Sequence, residues 1–164
     1  MTSYGIVTTE DFTGTLYIQL DDCANVMQSY IDKYEEKYLY ELLGITKANE
    51  LINDLVDGVP QSAEILEWFN AFRVEDECTG DLYCSEGIKK MLTYLIYYEY
   101  IRGEELFVSD NGVIKIDSEN SERKDSIITE RFIRIKAWNP AVDTWRALEY
   151  KLKLTNKGID KAFF

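Results

Sequence analysis

Gly87-Ile-Lys-Lys-Met-Leu-Thr-Tyr-Leu-Ile-Tyr-Tyr-Glu-Tyr-Ile-Arg-Gly103 is apolar on nearly every side of a helical projection. Ile88, Met91, Leu92, Leu95 and Ile96 recur at helical spacing, and Tyr94, Tyr97, Tyr98 and Tyr100 extend that surface around the cylinder. Charge is kept to the ends, with Glu86 before the first turn and Arg102 in the last, as the helix dipole prefers. Gly103 reads as a C-terminal stop. Such a helix must be covered all round, so Leu95 and Tyr98 are expected to be almost fully buried. Each tyrosine can bury its ring and send its hydroxyl to a partner.

Outward from this helix, Leu106-Phe107-Val108, a Ser-Asp-Asn-Gly turn at 109–112 and Val113-Ile114 predict a β-hairpin near 105–117. After a polar stretch from Ser118, Ile127, Ile128, Phe132, Ile135 and Trp138 begin a last helical region, with Asn139-Pro140 marking a restart or kink. Val142, Trp145, Leu148 and Leu152 carry the apolar face to about Thr155. On the N-terminal side, residues 73–86 are acidic and turn-like. Ser62 opens a helix bearing Ile65, Leu66, Trp68, Phe69 and Phe72, and Thr46 opens another carrying Leu51, Ile52, Leu55 and Val56. Asp21 or Asp22 caps a longer one, whose stripe of Met27, Tyr30, Ile31, Tyr34, Tyr38, Leu39 and Leu42 lasts to Gly44. Residues 4–20 hold strand formers punctuated by Gly5 and Gly14. The expected fold is mainly α: a helical bundle around the central helix at 87–103, with a hairpin near 105–117. Its parts are an extended arm (1–20) with one or two short strands, a helical domain (21–155) and a tail (156–164).

The net charge is −12, and 18 of the 30 acids but only 4 of the 18 bases lie in residues 1–86. That balance argues against nucleic-acid binding as the main activity, because neutralising phosphates takes clustered Lys and Arg. No apolar run is long enough to span a bilayer, and the first residues show no secretory signal, so synthesis and residence in the cytoplasm are expected. With no histidine in the chain, Ser-His and Cys-His nucleophile systems are excluded. No glycine-rich phosphate loop is present. Cys23, Cys78 and Cys84 make neither a disulfide framework nor a usual zinc site. No catalytic residue, metal or cofactor is expected, and the chain reads as a non-enzyme.

Four stretches in order, DFTGTLYIQL (11–20), SYIDKYEEKYLYELLG (29–44), GIKKMLTYLIYYEYIRG (87–103) and NGVIKIDSENSE (111–122), resemble small virion proteins of tailed bacteriophages infecting Bacteroidetes, crAss-like phages among them. Those proteins resemble the head–tail connector family, whose adaptor or ring subunits stack beneath the portal. Residues 45–86 have no counterpart in it. The resemblance implies a closed ring, commonly twelve-fold, that touches portal and tail proteins and lets packaged DNA pass without specific binding. In that setting Tyr17, Phe107, Val108, Val113, Ile114, Phe163 and Phe164 are candidate contacts with other subunits or the portal. Glu35, Glu36, Glu41, Glu75, Asp76 and Glu77 are candidate channel-facing acids, where like charge keeps DNA from sticking. The alternative is a monomeric acidic binding protein of phage origin, its acidic face occupying a host partner.

Overall fold

A computed structural model describes residues 4–16, 24–76, 78–104, 107–109, 112–114 and 123–154. The described chain is mainly helical, with α1 at Ala24–Asp54, α2 at Ala63–Phe69, α3 at Ile88–Glu104 and α4 at Arg123–Leu154. Small antiparallel hairpins sit between the helices: β1 (Leu55–Val56) with β2 (Val59–Pro60), β3 (Phe72–Glu75) with β4 (Leu82–Ser85), and β5 (Phe107–Ser109) with β6 (Gly112–Ile114). Among the described residues no helix is long and apolar enough to cross a membrane.

The central stretch forms α3 within a residue of its expected bounds, and it packs against both α4 and α1. Ile88, Met91, Leu92, Ile96, Tyr97 and Tyr100 are buried, and Leu95 is 1% exposed. Tyr98 departs from expectation. It is only partly buried, its ring meeting that of Trp138 from α4 at a tilt of 49°, 4.9 Å between centroids. Gly103 is not the stop either. It stays inside the helix because Tyr30 of α1 lies directly over it, and a Cβ there would collide with the Tyr30 hydroxyl. At the other end, Gly87 takes a left-handed φ of 93° while a Cβ would meet the Phe69 carbonyl oxygen at 2.9 Å. Glycine lets α3 start flush against the end of α2.

Polar groups inside this packing are matched. The Tyr38 hydroxyl of α1 donates to Glu99 Oε1 of α3 at 2.7 Å, and Arg102 approaches the other oxygen of Glu99 at 3.3 Å. The buried Thr93 hydroxyl donates to the Lys89 carbonyl, and the Glu86 N–H donates to Thr144 Oγ1 of α4. Burial, then the bond to Glu99, pushes the Tyr38 phenol well above its ordinary range. Tyr94, which donates to Glu86, is pushed up to about 12, first by burial and then by the charge of Glu86.

Three local expectations are corrected. Helix α1 does divide at Gly44, whose φ of 72° and ψ of 167° are non-helical, but its second half ends at Asp54. Leu55 and Val56, assigned to that helix, form β1, because Asp57-Gly58 is a two-residue hairpin turn with φ of 50° and 77°. Residues 73–86 are not merely turn-like: Phe72 pairs with Ser85 and Glu75 with Leu82 across a regular ladder. Helix α4 runs unbroken through Pro140 rather than restarting there. Of the hairpin expected near 105–117, the described residues 107–109 and 112–114 pair antiparallel, with Val108 opposite Val113.

The largest correction is the arm. Within 4–16 there is no strand, only two single 3-10 turns at Thr9–Asp11 and Gly14–Leu16. Ile6, Val7, Phe12 and Leu16 are buried in the core of this same chain. Asp11 pairs with Lys89 of α3 at 3.0 Å, and Gly58 fits so close to Gly5 that a Cβ would overlap the Gly5 carbonyl.

Two tests follow from this packing. Leu95→Ala should lower unfolding free energy by about 2–5 kcal/mol through lost burial and the cavity left behind, read from denaturant titration. Stability should also fall at alkaline pH. The folded chain keeps phenol protons that the unfolded chain releases near pH 10, so this contribution is full below about pH 10 and lost as pH rises through about 12. Denaturation midpoints across that range check the sign.

Candidate functional site

The described residues place the candidate acids in different surroundings. Glu35 is 0% exposed, so it faces no channel. It sits on the apolar side of α1, one turn from Ile31 and one from Tyr38, both buried. There it accepts the backbone N–H of Tyr4 through Oε2 at 2.7 Å and that of Val7 through Oε1 at 2.9 Å. Gly5 between them has a φ of 74°, which turns the segment so that both N–H groups point at one carboxylate. An irregular segment has no ladder to satisfy its N–H groups, and Glu35 supplies the acceptors. The signal was present in the sequence as an acid inside the Met27–Leu42 apolar stripe.

Glu36, next on α1, is partly exposed and accepts from the Tyr4 hydroxyl at 3.3 Å. Burial, and after it the charge of Glu36, pushes the Tyr4 phenol up to about 12. Glu41 is partly exposed and lies 3.9 Å from Lys37. Glu75 is exposed on β3. Asp76 is engaged in the β3–β4 turn, where its Oδ1 accepts the Cys78 N–H at 2.8 Å and its carbonyl accepts the Gly80 N–H at 2.7 Å. These acids do not converge on one point, and Glu77 lies outside the described residues.

Of the candidate contacts, Phe107, Val108, Val113 and Ile114 are brought together by the β5–β6 register. Tyr17, Phe163 and Phe164 lie outside the described residues. Sequence reading missed other exposed apolar side chains. Val56 and Val59 face each other across the β1–β2 turn and are both about half exposed, and Leu82 and Ile45 are more so. The Asp57-Gly58 turn was the available signal for the first pair.

Two open grooves lie on the surface of the described residues. One, of about 410 Å³, is lined by Lys47, Glu50, Asn53, Asp54, Ser62 and Glu64. Its groups are tied up locally: Lys47 pairs with Glu50, while Asp54 accepts the Ser62 N–H at 2.8 Å and the Ser62 hydroxyl at 2.5 Å. Those bonds hold the Asp54 carboxyl below its ordinary range. The other groove, of about 430 Å³, is lined by Tyr98, Arg134, Ile135 and Trp138 between α3 and α4. Cys78 and Cys84 are free and exposed. Among the described residues no group of three or more His, Cys, Asp or Glu side chains is placed to hold a metal ion.

Comparison of the chain with protein-family models, with curated proteins and with solved structures finds no match.

The Glu35 anchor is directly testable. Glu35→Gln should cost about 1–3 kcal/mol, since an amide NH₂ then opposes one of two N–H donors in a dry site. Hydrogen exchange at the amides of residues 4–7 should quicken more than in α3. Unchanged protection there would show that the core contacts of Ile6 and Val7 hold the segment unaided.

Proposed function

We propose that this chain is a structural subunit of a bacteriophage head–tail connector. It would assemble as a ring, commonly twelve-fold in the family it resembles, beneath a portal and around the path of packaged DNA. In this reading α3 is the axis of a helical bundle, and the hairpins are its projections. The observation that carries the reading is what the folded body leaves outside its core. Val56 and Val59 on one hairpin, Leu82 on another and Ile45 after the α1 break are apolar, exposed and carried by separate elements. Ring contacts are heterologous, so different patches of one subunit must meet across each interface. The β5–β6 hairpin, with Phe107, Val108, Val113 and Ile114, is the candidate for reaching the portal, because a hairpin edge can add a strand to a neighbour.

The surplus of acid is consistent with DNA passing without being held, since phosphate is repelled by the summed field of the subunit. The absence of histidine and the scatter of the carboxylates support a structural role over catalysis.

Light scattering or native mass spectrometry, on the chain alone and mixed with its portal, is the direct measurement. A ring-sized species in either sample is expected. Val56→Asp together with Val59→Asp should abolish it while leaving far-UV circular dichroism unchanged. A chain that stays monomeric at every concentration, with and without portal, would sink the connector reading in favour of the monomeric acidic binding protein.

A further inference from the structure

The β3–β4 hairpin is covered on one face and open along one edge. Phe72, Val74 and Tyr83 are partly buried, with Tyr83 stacked on Tyr150 of α4 at 5.0 Å and Lys151 4.4 Å from the Phe72 ring centre. Arg73 and Glu75 alternate with them on the solvent face. Helix α4 lies chiefly against β4, and among the described residues each strand has only the other as a neighbour. Strand β3 is therefore an exposed edge. We propose that this edge pairs with β3 of a second copy of the chain, antiparallel about a two-fold axis at Val74. The pairing does not rest on the connector reading.

Backbone direction sets which groups can meet. The Asp76 N–H donates to the Asp81 carbonyl at 2.8 Å, and the Asp76 carbonyl accepts the Gly80 N–H at 2.7 Å, so both face the β4 side. By the alternation of an antiparallel ladder, Val74 and Phe72 also face β4, while Arg73 and Glu75 turn their N–H and C=O groups outward.

Charge then selects the register. Outward groups can meet with Arg73 opposite Arg73, Glu75 opposite Glu75, or Arg73 opposite Glu75. The first two set like charges face to face, which is destabilising. In the third, Arg73 of each copy lies opposite Glu75 of the other, and each pair exchanges both of its backbone hydrogen bonds. Two charges of one sign would blunt this edge; opposite signs two residues apart make it self-complementary. Val74 meets its own copy at the non-hydrogen-bonded centre, where Cα atoms approach to about 4.5 Å. Such a contact is isologous, so it joins chains in pairs, or one ring to another, and cannot be the repeating contact of a single ring.

The test separates the pairing from the ring. In the Val56→Asp, Val59→Asp chain, sedimentation equilibrium should show monomer passing to dimer as concentration rises. Adding Arg73→Glu should raise the dissociation constant on the order of tenfold, because both cross-strand pairs turn to repulsion, and Glu75→Arg should do the same. Mixing those two variants should restore the dimer, since an acid-only edge then meets a base-only edge. With Cys23, Cys78 and Cys84 changed to Ser, Val74→Cys should give a covalent dimer on a non-reducing gel after treatment with oxidised glutathione, the Cα separation being that of a disulfide. A dimer that Arg73→Glu leaves intact, or a Val74→Cys chain that stays monomeric on the gel, would overturn the proposal. So would a Val56→Asp, Val59→Asp chain that is monomeric at every concentration, and a wild-type ring beside that result would leave the connector reading standing.

Discussion

Helix α3 carries a broad buried surface, against which α1 and α4 pack. Its buried positions, from Ile88 and Met91 through Leu92, Leu95 and Ile96 to Tyr97 and Tyr100, cover the larger part of the cylinder and leave Lys90, Tyr94, Tyr98 and Ile101 partly exposed on the remaining side, so more than one neighbour is needed to cover it. Helices α1 and α4 take the broad faces. The end at Gly87 is closed by α2, close enough to exclude a β-carbon, and the end at Gly103 by the Tyr30 ring. Even the polar groups obey the same demand: Glu99 enters the seam only because Tyr38 and Arg102 meet it there. The tyrosines make this workable. Tyr30, Tyr34 and Tyr38 stack along α1 at 5.8 and 6.1 Å, with Tyr30 set edge-on to Tyr100. Rings supply area to the seam, and the Tyr38 hydroxyl is satisfied by Glu99.

What could be read from the sequence was what depends on periodicity. The stripes of α1 and α3 and the position of Leu95 are consequences of helical spacing, and the structure places them as expected. Positions decided by a neighbour were not legible. Gly103 has the sequence of a stop and the role of a gap for Tyr30, which nothing local encodes. Tyr98 has the spacing of a core residue but sits at the rim, because α4 presents Trp138 there instead of closing over it. Short hairpins were missed where acidic residues disguised them. Arg73, Val74 and Glu75 alternate between exposed and half-buried as a strand should, yet their charges and the turn at Asp76–Asp81 read as loop.

The N-terminal segment shows why strand-forming composition was a poor guide. Ile6, Val7, Phe12 and Leu16 lack a β-partner, so their burial leaves N–H groups that must find acceptors elsewhere. Glu35 provides two acceptor atoms from the side of a helix, and Gly5 bends the chain to meet them. The carboxylate read from the sequence as a candidate channel acid therefore satisfies two backbone N–H groups of a segment that packs into the core. Its misassignment came from counting charge without asking which face of α1 carried it.

The acid excess of residues 1–86 changes meaning when individual carboxylates are followed to their partners. Glu35 serves the 4–7 segment, Asp54 the β2–α2 junction and Asp76 the β3–β4 turn, each by accepting backbone N–H groups where regular structure is absent. Asp11 bridges to α3 through Lys89. Part of the acidity is thus a folding device, placed where the backbone lacks ladder or helix acceptors. Other acids, among them Glu10, Asp57, Glu67 and Glu75, stand exposed on separate stretches of the chain. Exposed charges so distributed act through their summed field, screened over about 10 Å at moderate salt, rather than through any one contact. The physically meaningful property of the surface is therefore its summed field, to which every exposed carboxylate contributes whatever its direction.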